Sequence, residues 1–176
     1  MDIDAATAAA LGFPKLKYAW VERERRWLCS HVPEDLVLRA EEITDLYVEA
    51  TWLRLREAIP QDGGPAMRRL ARKADVDATT RLITSLYLQP EEFDLLKGLP
   101  GLRLTKTRHH LTSPPGVLMS IDRFHGPLEG LLLAEAEFED AESLEAFPMP
   151  PFALEEVTDD IRYGGAHLAR HGLPAA

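Results

Sequence analysis

From residue 18 to residue 138 the sequence returns again and again to a two-residue alternation. Between these runs it offers no helical stretch long enough for a crossover connection. Parallel neighbours need a crossover of about a dozen residues or more, whereas antiparallel ones need only a turn. The alternating runs are Tyr18–Cys29, Ile43–Val48, Thr51–Ala58, Met67–Ala74, Thr80–Leu88, Leu102–Leu111, Val117–Phe124 and Leu131–Phe138, with a short ninth candidate at Leu154–Val157. Glu49–Ala50, the loop Gln61–Pro65 and His125–Gly126–Pro127 punctuate them. Pro90–Lys97 reads as one short helix, with proline and acids in its first turn and Gly98 as its stop. Glu139–Phe147 and Thr158–His171, the latter with Thr158 as cap, read as further helices near the end. These observations predict an α+β, mainly β fold, an antiparallel sheet or barrel with marginal helices. No internal repeat or low-complexity linker divides the chain.

Residues two apart on a strand share a face, and four strands use that rule in the same way. Glu22, Glu24 and Arg26 share one face, as do Arg54 and Arg56, Lys106 and Arg108, and Glu135 and Glu137. The face opposite Glu135 and Glu137 (Leu132, Ala134, Ala136, Phe138) is continuously apolar, so that face packs against something. The two carboxylates then point either to solvent or into a closed barrel. Like-charged neighbours repel, and a surface shaped for stability alone would mix them. Basic side chains on one set of strands and carboxylates on another suit a polyphosphate with a divalent cation: the former bind phosphate oxygens, the latter a hard metal.

Net charge supports a small polyanion over a large one. The 176 residues carry 20 Lys and Arg against 29 Asp and Glu, a net −9. Residues 51–110 are nevertheless net basic and residues 111–160 strongly acidic. An acidic total disfavours non-specific nucleic-acid binding and leaves room for a local basic site. A single Cys29 allows no intrachain disulfide, the first residues lack the basic start of a secretory signal, and no apolar run approaches membrane-spanning length. A cytoplasmic protein with no membrane and no nucleic-acid partner is expected.

Glu22-x-Glu24-x-Arg26 resembles the Glu-x-Glu-x-Lys signature of the CYTH domain, the triphosphate tunnel metalloenzymes. Further resemblances follow in order. They are Arg54-x-Arg56, Lys73, Arg81 before Ile83–Leu88, Lys106-x-Arg108, Asp122–Gly126, Glu135-x-Glu137, and the closing Glu156–Val157–Thr158–Asp159 with Tyr163. The family implies a closed eight-stranded antiparallel β-barrel, a tunnel with flanking helices. Residues 18–176 would form this single domain after an N-terminal extension, 1–17. It implies Arg26, Arg54, Arg56, Lys73, Arg81, Lys106 and Arg108 as triphosphate-binding. It implies Glu22, Glu24, Asp122, Glu135, Glu137 and Glu156 as ligands of Mg²⁺ or Mn²⁺.

Two departures stand out. Arg26 replaces the family's motif lysine; arginine grips phosphate but stays protonated and cannot act as a base. Lys73 or Lys106, with Tyr47, are then the candidate catalytic groups. The roughly twenty residues before the motif read as a tail or as a cap on one tunnel end. The adjacent His109 and His110 read as surface residues, and His167 with His171 as a polar helix face. The resemblance implies a metal-dependent hydrolase of a triphosphate, inorganic tripolyphosphate first, acting as monomer or homodimer. A cyclase-type lyase on ATP and a non-catalytic polyphosphate or nucleotide module are the alternatives.

Overall fold

The computed structural model describes residues 3–174. Nine strands form: β1 (Trp20–Cys29), β2 (Val37–Val48), β3 (Leu53–Pro60), β4 (Met67–Asp75), β5 (Thr80–Tyr87), β6 (Gly101–Leu111), β7 (Val117–Phe124), β8 (Leu132–Phe138) and β9 (Ala153–Glu156). Every pairing is antiparallel. The order β5-β4-β3-β2-β6-β7-β8-β1 closes on itself because β1 also pairs with β5, so the first eight strands make a barrel. Closure removes the free edges that an open sheet would expose. One side of β1 lies along β8 from Arg23 to Leu28. The other side is shared, with Trp20–Arg23 on β5 and Trp27–Cys29 on β9.

Four helices flank the barrel: α1 (Ala5–Ala10), α2 (Pro90–Leu96), α3 (Ala141–Ala146) and α4 (Gly165–His171). A capping box between Gln89 and Glu92 starts α2. None of the helices is long and apolar enough to cross a membrane.

Most of the apolar core lies outside the barrel, between its wall and these helices, because charge takes up much of the inside. Trp27, Ile121, Ala134, Ala136 and Phe138 pack beneath Leu144 of α3 and Phe147 and Phe152. The apolar face of β8 is therefore the packed one, as its sequence predicts. Leu46, Val48 and Leu55 lie beneath Phe93 and Leu96 of α2, and Ala74 and Leu82 beneath Ala8 and Phe13. Each fully buried Leu, Ile or Phe adds about 1.5–3 kcal/mol, so these outer layers hold the wall in place. A fourth cluster faces inward. Leu104, Phe124 and Leu133 gather beneath Leu168 of α4 and narrow one end of the tunnel.

Three expectations change. β2 starts at Val37, six residues before its predicted start, because Ala40 to Glu42 and their neighbours pair with β6 despite lacking apolar alternation. The expected helix from Thr158 is only a 3-10 turn at Ile161–Tyr163 followed by α4. Thr158 does not cap it; its hydroxyl accepts from the backbone N–H of Arg26 at 3.0 Å. The N-terminal extension is no loose tail. Asp4 caps α1, Arg72 Nη2 donates to the Leu11 carbonyl at 3.0 Å, and the Arg72 guanidinium lies over the rings of Phe13 and Trp52 at 4.6 and 4.7 Å.

Candidate active site

The period of two decides what the tunnel contains. Even-numbered residues of β1, β3, β6 and β7, and odd-numbered residues of β2, β4, β5 and β8, point inward. Glu22, Glu24, Arg26, Tyr47, Arg54, Arg56, Lys73, Arg81, Lys106, Arg108, Glu135 and Glu137 thereby meet around one cavity of about 1500 Å³. Ligand pockets commonly hold about 300–1,000 Å³, so this space is generous for one small molecule.

Most of these charges neutralise one another. Lys73 Nζ donates to both oxygens of Glu22, at 2.9 and 3.1 Å. Arg81 forms ion pairs with Glu24 and Asp75 and lies 3.7 Å from Glu22. On the far side, Asp122 is fully buried between Lys106 and Arg108, with Arg108 bidentate at 2.7 Å through each donor. Arg108 also meets Glu135. Asp45, equally buried, receives Arg56 Nε and Nη2 at 2.7 Å each and lies 3.7 Å from Arg54. A bidentate arginine–carboxylate pair fixes the guanidinium plane as well as the charge.

Other donors are left without a hydrogen bond. The Nε and Nη2 of Arg54 and the Nε of Arg69 are buried without a hydrogen bond. Arg26 Nε, 3.4 Å from Glu24, also lacks one, although Arg26 Nη2 donates to the Thr158 carbonyl. Among the described residues Glu137 has no ion-pair partner, and it stands directly opposite Glu24 across the β1–β8 ladder.

The titration of these groups follows from the pairing. Burial alone would raise Glu22, Glu135 and Asp122. It is outweighed by Lys73 at Glu22, and by Arg108 and Lys106 at the other two, which therefore lie below the ordinary carboxylate range. Glu137 goes the other way, raised by burial and by repulsion from Glu22. Burial, aided at Lys73 by Arg54 and at Lys106 by Arg108, draws both lysines below the usual value. Tyr47 is pushed up to about 12 by burial and by the nearby Asp45. Its phenol is thus a donor at neutral pH. Two glycines admit it: a Cβ on Gly165 would sit 2.0 Å from the Tyr47 hydroxyl, and one on Gly101 2.2 Å from its carbonyl.

A divalent cation fits this wall. Glu137 is an acid without a cation beside two further glutamates, and a metal would supply the missing charge. Among the described residues no three carboxylate, imidazole or thiol groups are placed to hold a metal by themselves. That suits an ion held by one or two carboxylates together with substrate phosphates, the usual manner of Mg²⁺.

Two expected metal ligands are taken up by other partners. Glu156 is outside the tunnel, bidentate with Arg25 at 2.6 and 2.8 Å and accepting from Thr158, because β9 pairs with β1 and the outward side of β1 presents Arg25. Asp122 is wholly engaged by two cations and serves to aim them. His110 is half-buried, on Glu41 at 2.9 Å, and His167 and His171 border the cavity, their ring centroids 4.3 Å apart. Sequence reasoning passed over Asp45 and Arg69. Each was detectable by the rule that found the others, since Asp45 is co-facial with Tyr47 and Arg69 with Lys73.

No protein-family model matches the chain. An inorganic triphosphatase of Nitrosomonas europaea is 30% identical over 149 residues, which span 84% of this chain and 96% of the relative. The crystal structure of the inorganic triphosphatase NE1496 is similar with a TM-score of 0.56 and 27% identity, covering 84% of this chain and 93% of that one. The PH1819 protein from Pyrococcus horikoshii shares the fold at a TM-score of 0.56 and 22% identity, over 70% of this chain and 82% of that one.

Proposed function

The chain belongs to the inorganic triphosphatase family, and from that premise we propose that it hydrolyses a phosphoanhydride bond of inorganic tripolyphosphate in a metal-dependent, CYTH-type tunnel. The observation that carries this reading is the set of buried guanidinium donors on Arg54 and Arg26 that make no hydrogen bond within the protein. A buried donor without an acceptor is costly, and a polyanion would satisfy it.

Arg54, Arg56, Lys106 and Arg108 hold phosphate oxygens from one side, and Lys73, Arg81 and Arg26 from the other. Asp45 and Asp122 keep Arg56 and Arg108 aimed before substrate arrives, so little reorganisation remains at the moment of reaction. Glu22, Glu24, Glu135 and Glu137 are the carboxylates that would hold Mg²⁺ or Mn²⁺. When bound, the metal neutralises charge on the phosphoryl oxygens. Water attacks the terminal phosphorus and the bridging P–O bond breaks, giving orthophosphate and pyrophosphate. Lys73 and Lys106, lowered by burial, are suited to pass a proton to the departing oxygen. Tyr47 donates a hydrogen bond, and Arg26 contributes charge and no base.

Measuring phosphate release from tripolyphosphate, ATP and thiamine triphosphate, with and without Mg²⁺ or Mn²⁺, tests the proposal. Metal-dependent orthophosphate from tripolyphosphate is expected. Tight binding without release from any of the three overturns it in favour of a binding module. Tyr18, Trp20, Trp52 and Tyr87, exposed aromatic residues on the cavity lining, favour a second reading in which the triphosphate carries a planar head group. Pyrophosphate with cyclic AMP from ATP would select that reading as a lyase.

A further inference from the structure

One tunnel cation has no counterpart. Arg69 lies on the inward side of β4, four residues before Lys73. Its cross-strand neighbours are Arg56 on β3 and Tyr87 on β5, and neither is an acid. The one acid whose charge is felt at Arg69, Glu22, is already engaged by Lys73 and lies 3.7 Å from Arg81. Among the described residues Arg69 has no ion pair, and its Nε is buried without a hydrogen bond. Arg54, also inward on the adjoining strand and only 8% exposed, has two nitrogens in the same condition. Burial and repulsion from Arg54 and Arg56 hold the Arg69 guanidinium below its ordinary value.

Three arginines on adjoining strands, two of them with buried donors that make no hydrogen bond, are unfavourable without a ligand. Such a cost persists where a ligand supplies the missing anion, since binding sites are commonly less stable than they could be. Position adds direction. In the barrel order β3 is four strands from β8 whichever way round one goes, so Arg54 stands across the tunnel from Glu135 and Glu137. A substrate that meets a metal at those glutamates reaches Arg54 and Arg69 only with its far end.

Resting on the triphosphatase reading, we propose that Arg69 and Arg54 form an anion subsite for the phosphate farthest from Glu135 and Glu137, and that Arg69 determines specificity for phosphate-chain length. A three-phosphate chain spans the tunnel to this subsite. Pyrophosphate, held by the other cations, stops short of it.

The test, made in Mg²⁺, is the KM for tripolyphosphate and the calorimetric affinity for pyrophosphate, beside thermal unfolding without ligand. Arg69→Gln should weaken tripolyphosphate binding about tenfold or more, the loss expected of one charge-assisted contact, and pyrophosphate binding less than about threefold. Its ligand-free Tm should equal or exceed that of the wild type, because an uncompensated charge is gone. Arg69→Lys should recover part of the affinity. In turnover the loss should fall on KM, with kcat within about threefold. Unchanged tripolyphosphate affinity in Arg69→Gln, an equal loss for both ligands, or a lowered Tm overturns the subsite. Wild-type protein that binds tripolyphosphate without hydrolysing it overturns the hydrolase and leaves the subsite standing.

Discussion

The β6–β7 side of the tunnel and its β3–β4 side carry the same kind of cation in opposite circumstances. On β6, Lys106 and Arg108 close on Asp122, and Arg108 reaches Glu135 as well. Two strands from β6, on β3, Arg56 and Arg54 share Asp45, and Arg69 on the neighbouring β4 has no ion pair among the described residues, so bonds are left unmade. The first side is a finished ion-pair network that holds geometry. The second is unfinished and waits for an anion. Basic residues in one tunnel thus differ in how much of their hydrogen bonding is already met before a substrate arrives.

Charge-removing substitutions should behave differently on the two sides, and the largest effect belongs to the finished one. Asp122→Ala strands buried Lys106 and leaves Arg108 with Glu135 alone, and should cost about 3–5 kcal/mol by urea denaturation at neutral pH. A loss below about 1 kcal/mol would mean that Lys106 and Arg108 find other partners and that the network holds nothing. Because Asp122 sits below the ordinary carboxylate range, its contribution is present above that range and fades as pH falls through its depressed value, so the mutant and wild type should converge in acid. Asp45→Asn keeps the shape and loses the charge. It should cost about 1.5–3 kcal/mol and raise the KM for tripolyphosphate, as Arg56 loses its bidentate hold.

Glu137 offers a smaller effect of opposite sign. Its raised value means that its ionisation opposes folding once pH exceeds the ordinary glutamate range. The wild type gains stability from this group only in acid and loses it as pH rises through the raised value. Glu137→Gln should therefore increase the Tm at pH 7, with the advantage vanishing near pH 4, while metal-dependent turnover falls. A Tm that drops at pH 7 would show that the carboxylate has a cation after all. The smallest change is expected from Glu156→Gln on the outer wall. Loss of a partly exposed pair with Arg25 should cost less than about 1 kcal/mol and leave the tripolyphosphate KM unaltered. A large KM change would return Glu156 to the site.

Much of the site was legible before any coordinates because β-structure encodes facing directly. Glu22 and Glu24, Arg54 and Arg56, Lys106 and Arg108, and Glu135 and Glu137 needed only the period of two and the apolar reverse side of β8. Glu156 was expected from the resemblance alone, and β9 sets it opposite Trp27, on the outward side of β1 beside Arg25. Asp122 misled for another reason: its neighbours along the chain do not announce the two cations that engage it from β6. Arg69 was hidden among Arg68, Arg72 and Lys73, where only pairing with β3 distinguishes the inward charge from the solvated ones.

By itself, then, the order of residues determined an antiparallel sheet or barrel and the sign of charge on each strand face, because alternation is a local property that backbone geometry translates into facing. Only the tertiary structure decided which charges cancel. Ion pairing depends on which strands become neighbours and in what register, and barrel closure brings together β1 and β5, residues some sixty positions apart in the chain. The unmet donors of Arg54 and Arg69 exist only as the remainder of that pairing.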